Sequence, residues 1–310
     1  MTPSRTSPSP NETSGLSKQQ LQDFQNDGYL LVPDALSPNT VSSLLNETHH
    51  LLTSFTLDKH PLTKFSTSDR PEDSNGDDYF LSSGDKVRFF FEQDAFDSEG
   101  KLTKPKERAI NKIGHYLHVL SEPFAALLKP ESGHHPGAIA RSLGFRDPRC
   151  LQSMIICKQP EIGGAVPSHQ DSTFLYTDPP SAVGFWYALE DATKENGCLS
   201  FLPGSHKRAQ ISRRFVRNAK GTGTEFVENL GGQYPAGMEE SGEEDEGDYV
   251  PGEVKAGTLV LIHGNLLHKS EKNTSEKGRI IYTFHVIEGD GAVYDERNWL
   301  QPPGEGFTKI

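Results

Sequence analysis

The stretch Ser168-His169-Gln170-Asp171 decides how the rest of this sequence is interpreted, because it carries a histidine and a carboxylate two positions apart. On an extended segment, side chains two residues apart project to the same side. An imidazole nitrogen and a carboxylate oxygen on one side can share a metal ion. A second histidine from another strand would complete a 2-His-1-carboxylate triad, which suits Fe(II) and leaves coordination positions open.

The segments on either side of this stretch are typical of β-structure. Upstream, residues 151–157 form an apolar, β-prone run. Downstream, the short apolar run 258–262 is typical of a buried strand and leads to His268. Arg279 lies eleven residues beyond His268 and opens another β-prone segment, 279–286. We therefore expect His268 to be the third metal ligand, supplied by a distant strand.

Arg279 and Ser270 are the residues expected to bind a carboxylate near the metal. A guanidinium can hold a carboxylate through two parallel hydrogen bonds, which a lysine cannot do. Ser270 lies two residues after His268, on the same face of that strand, and its hydroxyl can assist the arginine. This arrangement is what a 2-oxoglutarate site needs, because the keto-acid end chelates the metal while the arginine holds the far carboxylate.

Further motifs are spread along the chain, among them Glu195-Asn196-Gly197-Cys198 and Pro203-Gly204-Ser205-His206. The other segments that carry the pattern are 78–92, 110–115, 152–154, 190–193, 266–270, 282–285 and 298–302. Taken together with His169-Gln170-Asp171, they make the chain resemble the phytanoyl-CoA dioxygenase family of Fe(II)/2-oxoglutarate oxygenases. The resemblance runs from about residue 17 to about residue 303, and its motifs are specific in combination.

The resemblance implies a fold, a metal site and a co-substrate site. Iron would be bound by His169, Asp171 and His268. The residues that would contact 2-oxoglutarate are Arg279, Ser270, Lys112, Met154 and Trp186, with Lys86 as a competitor for the place of Lys112. The implied fold is α+β, with a double-stranded β-helix core (a cupin-like jelly roll) and N-terminal and flanking helices. The pattern by itself indicates helices first and then many short strands.

Local signals predict the helices and strands. Ser17 and Gln20 form a plausible capping box, which opens a helix over 18–26, and Ser37-Pro38 opens a second helix. A third helix is predicted over 109–128, with its apolar positions at Ile113, Leu117 and Leu120. Strands are predicted at 29–33, 87–91, 151–157, 183–190, 198–202, 258–262 and 279–286.

The length of 310 residues favours one large β-rich domain with helical additions over two independent domains. We expect a disordered leader at 1–16, a single dioxygenase domain at 17–303 and a tail at 304–310. The leader is rich in Pro, Ser and Thr and has no apolar segment of the signal-peptide kind, and no run of 18 apolar residues occurs in the chain. The three cysteines form no CxxC pair. These features favour a cytoplasmic protein with no membrane attachment.

The net charge of −12 arises largely from one acidic stretch. Seven carboxylates lie between Glu239 and Asp248, and we interpret the region at about 236–250 as a mobile, solvated loop. No basic stripe offsets this charge, so nucleic acid is not an expected partner. The expected partner is a small-molecule substrate, and the oligomeric state is left open.

The hypothesis from the sequence is a non-haem dioxygenase that uses Fe(II), 2-oxoglutarate and O2. It would decarboxylate 2-oxoglutarate to succinate and CO2 and hydroxylate an unactivated C–H bond of a small molecule. The alternative is a jelly-roll protein that binds metal and 2-oxoglutarate as a sensor without a dedicated substrate. Zinc hydrolysis is disfavoured, because it has no use for Arg279. His263 is interpreted as a histidine that either supports a metal ligand or packs, and His285 is interpreted as structural.

Overall fold

The computed structural model describes residues 15–65, 78–129, 135–232 and 248–310. The leader expected at 1–16 lies outside the described residues except for its last two positions. The acidic loop expected at 236–250 also lies outside them up to residue 247, and Val250 already begins a strand. In the part of the chain that is described, no helix is both long enough and apolar enough to span a membrane.

The first helix begins and ends where local capping chemistry places it. The Ser17 hydroxyl accepts a hydrogen bond from the Gln20 backbone N–H, the Gln20 side chain accepts one from the Ser17 N–H, and Gly28 ends this helix in the left-handed conformation. The capping box predicted from the sequence is thus confirmed. The described α-helices are α1 (Lys18–Asp27), α2 (Pro38–Ser54), α3 (Asp78–Leu81), α4 (Leu117–Leu120), α5 (Glu122–Ala126) and α6 (Pro136–Ser142).

The strands follow the predicted positions closely and are more numerous than predicted. Those of the first half of the chain are β1 (Tyr29–Val32), β2 (Val87–Phe91), β3 (Ile110–His115), β4 (Pro148–Lys158), β5 (Val166–His169), β6 (Thr177–Asp178) and β7 (Val183–Ala188). The later ones are β8 (Leu199–Phe201), β9 (Arg213–Arg217), β10 (Thr224–Glu228), β11 (Val250–Gly252), β12 (Leu259–His263), β13 (His268–Ser270), β14 (Arg279–Glu288), β15 (Val293–Tyr294) and β16 (Thr308–Lys309).

Two antiparallel sheets form the body of the molecule. The larger has the order β1-β12-β7-β14-β4-β3-β2, with β16 paired to β4, and the smaller has the order β11-β8-β13-β5. Strands far apart in sequence are neighbours in both sheets, as the crossovers of a double-stranded β-helix require. The predicted α+β jelly-roll fold is confirmed. Residues 304–310, expected to be a tail, contain β16 and so contribute to the larger sheet.

The larger sheet has two faces of different character. Leu261 belongs to an apolar cluster that includes Phe24 of α1 and Leu44 of α2, whereas Ile262 belongs to a second cluster with Phe201 of the smaller sheet. This alternation is the period of two expected of a strand that is covered on both faces. Helices therefore cover the outer face, and the smaller sheet covers the inner face, where the site lies.

The helix predicted over 109–128 is wrong for its first half. Residues Ile110–His115 form β3, which pairs with β2 on one side and β4 on the other. The helix-like spacing of apolar residues there is also compatible with a short buried strand, and the neighbouring strands decided between the two. Helical structure begins only at Leu117, and Leu120, predicted to face inward, is 57% exposed.

Candidate functional site

Three candidate ligands come together where β5 and β13 pair. His169 stands opposite His268 in the register of these strands, with their ring centroids 4.2 Å apart. The Nε2 atoms of His169 and His268 lie 3.6 Å and 3.8 Å from Asp171 Oδ1. One ligand atom from each of the three side chains lies within 4.8 Å of the other two. The three side chains are therefore placed to hold one metal ion.

Asp171 reaches this position by a route that differs from the prediction. His169 and Asp171 were expected to share one face of a strand, but β5 ends at His169 and Asp171 opens a 3-10 turn. The backbone N–H groups of Phe174 and Leu175 donate to the Asp171 carbonyl and close this turn. The turn, rather than strand alternation, holds the carboxylate beside the imidazoles.

The two imidazoles are oriented by their own backbone. Nδ1 of His169 lies 2.9 Å from the Pro167 carbonyl oxygen, and Nδ1 of His268 lies 3.0 Å from that of Leu266. A carbonyl oxygen can only accept, so each Nδ1 carries the proton and each Nε2 keeps its lone pair for a metal. Burial, followed by the neighbouring His169, lowers the pKa of His268 to about 4. Its ring is consequently neutral at neutral pH, as a metal ligand must be.

The Asp171 carboxylate is also held from the inner face of the larger sheet. His285 of β14 places Nε2 3.1 Å from Asp171 Oδ2, while its Nδ1 accepts a hydrogen bond of 2.8 Å from the Gln152 amide. Gly184 leaves room for this contact, because a Cβ there would lie 3.3 Å from Oδ2. Burial would raise the pKa of Asp171, but His285 and His268 outweigh it and hold that pKa well below its ordinary value. The carboxylate is therefore ionised, with Oδ1 facing the ligand histidines.

Arg279, at the start of β14, lies in the same cavity with part of its hydrogen-bonding capacity unused. Its side chain is buried, and Nε and Nη2 donate to the Gly197 carbonyl oxygen at 3.0 Å and 2.6 Å. Among the described residues, nothing pairs with its buried Nη1. Burial lowers the pKa of Arg279 to about 10, so the guanidinium remains charged at neutral pH. A fixed cation with a free donor is suited to an incoming carboxylate.

Gly197 makes this orientation of Arg279 possible. Gly197 has a φ of +78°, in the left-handed region that favours glycine. A Cβ at this position would lie 2.4 Å from the Glu271 carbonyl oxygen. Any larger residue would therefore shift the carbonyl that fixes the guanidinium, which explains why the Glu195-Asn196-Gly197-Cys198 motif carries a glycine there.

One cavity of about 1480 Å³ is lined by the three candidate ligands and by the other residues predicted to contact 2-oxoglutarate. Those other residues are Ser270, Lys112, Met154 and Trp186. Lys112 is buried with its Nζ 3.4 Å from the centre of the Phe65 ring, and burial lowers its pKa to about 7. Lys86 pairs with Asp85 at the surface and is not part of the cavity lining that the described residues define. The geometry thus favours Lys112 over Lys86.

Lys158 and His285 line the cavity although neither was predicted to do so. The signal for Lys158 was available, because residues 152, 154, 156 and 158 alternate along β4 and all face the cavity. His285 likewise follows Arg279 by six residues, an even number, on β14. Extending the period of two from Met154 and from Arg279 would have placed both residues on the inner face.

His263 and His206 lie away from the candidate ligands, packed against each other with ring centroids 4.9 Å apart. His263 Nδ1 accepts a hydrogen bond from the Asn265 backbone N–H, and its ring lies beside Phe24. His206 Nε2 donates to the Gln25 carbonyl oxygen, which ties the turn containing Pro203-Gly204-Ser205-His206 to α1. Both histidines therefore make packing contacts and do not lie among the candidate ligands, and the packing role expected for His263 fits this placement.

Comparison with known proteins agrees with the fold and with the family indicated by the sequence. The chain is 44% identical over 295 residues to phytanoyl-CoA dioxygenase domain-containing protein 1 of Bos taurus, covering 94% of this chain and 96% of that protein. It is 40% identical to a phytanoyl-CoA dioxygenase of Arabidopsis thaliana, covering 93% of this chain and 95% of the relative.

Solved structures with lower sequence identity share the fold. The non-heme alpha ketoglutarate dependent epimerase SnoN from nogalamycin biosynthesis superposes with a TM-score of 0.58 at 17% identity, covering 94% of this chain and 92% of SnoN. EctD from S. alaskensis, solved with 2-oxoglutarate and 5-hydroxyectoine, gives a TM-score of 0.55 at 19% identity, covering 92% of this chain and 79% of EctD.

The family model for phytanoyl-CoA dioxygenase (PhyH) matches residues 24–281. The chain therefore belongs to the phytanoyl-CoA dioxygenase family, and this membership supports a dioxygenase-type enzyme.

Proposed function

We propose that this protein is an Fe(II)- and 2-oxoglutarate-dependent dioxygenase that hydroxylates an unactivated C–H bond of a small-molecule substrate. The observation that carries the proposal is a shared cavity. It contains three converging ligand atoms and, separately, a buried arginine with an unpaired donor. A hydrolytic metal site has no need of such an arginine. A site for a metal-chelating keto acid with a distant carboxylate needs both.

His169, Asp171 and His268 would hold the iron. Two imidazoles and one ionised carboxylate match the donor set of non-haem Fe(II) oxygenases, and three protein ligands leave positions open for other groups. When bound, the metal together with 2-oxoglutarate supplies O2 activation, coupled to decarboxylation of 2-oxoglutarate to succinate and CO2. The protein keeps the ligand atoms fixed through the Pro167 and Leu266 carbonyls and through His285.

Arg279 and Ser270 would bind the far carboxylate of 2-oxoglutarate. Arg279 is held by Gly197 with Nη1 unpaired, and Ser270 projects from the same strand as His268. Met154 and Trp186 would flank the carbon chain of the co-substrate, and Lys112 would add a polar contact. The contact between Arg279 and the Trp186 ring, 5.4 Å from guanidinium carbon to ring centre, keeps this end of the cavity closely packed. Orientation and exclusion of water are the contributions of these side chains.

The substrate would enter past an aromatic wall beside the metal ligands. Phe174 lies 5.8 Å from the His169 ring, measured between centroids, and packs against Phe215 of β9 and Phe226 of β10. All three phenylalanines line the cavity. Such a wall suits an apolar portion of a substrate, presented to the metal without competing polar groups.

We also propose that residues 17–303 work as a single catalytic domain.

The test is a panel of small molecules incubated with the Fe(II)-loaded protein, 2-oxoglutarate and O2. Succinate formation above the background without substrate, together with a product heavier by one oxygen atom, would support the proposal. The His268→Ala variant serves as the control and should give neither signal. If 2-oxoglutarate binds but no panel member raises succinate formation, the metal- and 2-oxoglutarate-sensing alternative is favoured instead.

A further inference from the structure

Lys158 occupies a slot that the fold builds for it, directly beside the proposed co-substrate site. It ends β4, is paired in register with Arg279 of β14, and is buried. Its aliphatic stem passes between two glycines. A Cβ at Gly163 would lie 2.6 Å from Lys158 Cγ, and a Cβ at Gly197 would lie 2.9 Å from Lys158 Cδ. The stem is therefore confined, and the ammonium group has a fixed direction.

The ammonium group of Lys158 is directed at Ser270. Nζ donates a hydrogen bond of 2.5 Å to Ser270 Oγ, and both side chains line the cavity. An ammonium group can only donate, so Ser270 Oγ must accept in this contact. The one hydroxyl proton of Ser270 is then left to donate elsewhere. A carboxylate held by Arg279 is an acceptor of the kind that this proton can reach.

The side chains at this end of the cavity favour the binding of an anion. Arg279 and Lys158 are buried side by side, and burial, with the positive charge of Arg279 adding to it, lowers the pKa of Lys158 to about 7 against the smaller opposing effects of Glu92 and Glu271. Ser270 is the hydrogen-bond partner that the described residues give to Nζ, and it is neutral. A carboxylate bound here would favour the protonated form of Lys158 and would be stabilised by both side chains.

We infer that Lys158 is a second cation of the co-substrate carboxylate site, acting on the far carboxylate of 2-oxoglutarate through its charge and through the orientation of the Ser270 hydroxyl. This inference rests on the proposed function. Lys158 is a positioning and specificity-determining residue, because it favours a keto acid that ends in a carboxylate over one that ends in a methyl group.

The experiment compares two keto acids in anaerobic Fe(II)-loaded protein, followed by the metal-to-ligand charge-transfer absorption. 2-Oxoglutarate has the far carboxylate, and 2-oxopentanoate has the same keto-acid end and chain length without it. Lys158→Met should weaken 2-oxoglutarate binding by about tenfold and 2-oxopentanoate binding by less than about twofold. Lys158→Gln keeps a donor for Ser270 but no charge, so it should give a smaller loss. Lys255→Met, at an exposed lysine paired with Asp191, is the control.

The outcomes separate this inference from the function on which it rests. If wild-type protein shows no charge-transfer band with 2-oxoglutarate, both the proposed function and the role of Lys158 are overturned. If wild-type protein binds 2-oxoglutarate and both Lys158 variants bind it equally well, only the role of Lys158 is overturned. Equal weakening of both keto acids would also overturn it, because a general structural effect does not discriminate between them. Should Lys158→Met fail to fold, Lys158→Gln decides by the same comparison.

Discussion

The inner and outer faces of the larger sheet come from the same strands but do different work. On β14, Tyr282 and Phe284 point outward into the apolar cluster beneath the helices, while Arg279 and His285 point inward to the cavity. The outer face is packed with aromatic rings, as in the stacked pair Phe284–Phe185, whose centroids are 5.0 Å apart. The inner face carries buried charged and polar groups, one of them with an unused donor. Adjacent residues of one strand therefore serve stability and chemistry separately.

This division has a physical cause. A group that is to bind a ligand must keep hydrogen-bonding capacity free in the unliganded protein, and this costs stability. The outer face offsets the cost by burying apolar surface. Substitutions on the two faces should accordingly affect different measurements. Inner-face changes should alter ligand binding, and outer-face changes should alter the free energy of unfolding.

The largest effect is expected for His268→Ala, which removes one of three metal ligands. Fe(II) binding should become too weak to detect at micromolar protein, because even outer partners of metal ligands typically contribute ten- to a hundredfold in affinity. Anaerobic calorimetry with Fe(II) measures this. His263→Ala, in a histidine that packs on His206, is the matched control and should keep the metal. The reverse result, with iron lost in the His263 variant and kept in the His268 variant, would show that the metal assignment is wrong.

The next largest effect is expected on the outer face. Phe284→Ala should lower the free energy of unfolding by about 3–5 kcal/mol, because the side chain is fully buried and leaves a cavity. Denaturant unfolding measures this loss, and the 2-oxoglutarate affinity of the remaining folded protein should be unchanged. Thr283→Ala, one residue away on the inner face, should cost only about 1 kcal/mol. Similar losses of stability in the two variants would contradict the division between the faces.

An intermediate effect is expected for His285→Phe. This change keeps the ring volume but removes the donor to Asp171 and leaves the Gln152 amide without its acceptor. Metal affinity should fall by about ten- to a hundredfold, as it does for other partners of metal-binding carboxylates. His285→Gln can still donate to Asp171 and should recover part of the affinity. Unaltered Fe(II) titrations in the phenylalanine variant would mean that His285 only fills space.

The smallest effect is expected for Arg279→Lys. Replacing the guanidinium by a point charge forfeits part of a two-donor contact, so 2-oxoglutarate should bind about tenfold more weakly. Iron affinity should be nearly unchanged, since no ligand is altered. Titrating the anaerobic Fe(II) protein with 2-oxoglutarate and following the charge-transfer band separates the two affinities. Normal 2-oxoglutarate binding in both Arg279→Lys and Arg279→Ala would remove the main support for the co-substrate site.

The sequence by itself determined the local features of this protein. The capping box at Ser17, the strand at Val87–Phe91 and the strand that opens at Arg279 were all predictable, because their signals lie in a few neighbouring residues. The His-x-Asp motif, together with the distant His268 and Arg279, indicated the kind of chemistry, because the residue types themselves suit a metal and a carboxylate. Family resemblance then supplied the jelly-roll topology, which no local pattern contains.

Tertiary structure decided everything that depends on which strands become neighbours. Residues 110–115 became a strand because β2 and β4 offer hydrogen bonds on both sides, although their apolar spacing also fits a helix. Asp171 reached His169 through a turn that alternation does not predict. Lys158 came to face Ser270 only because β4 lies beside β14 and two glycines leave a passage for its stem. The contact between Lys158 and Ser270 joins residues 112 positions apart, and packing rather than local propensity selects it.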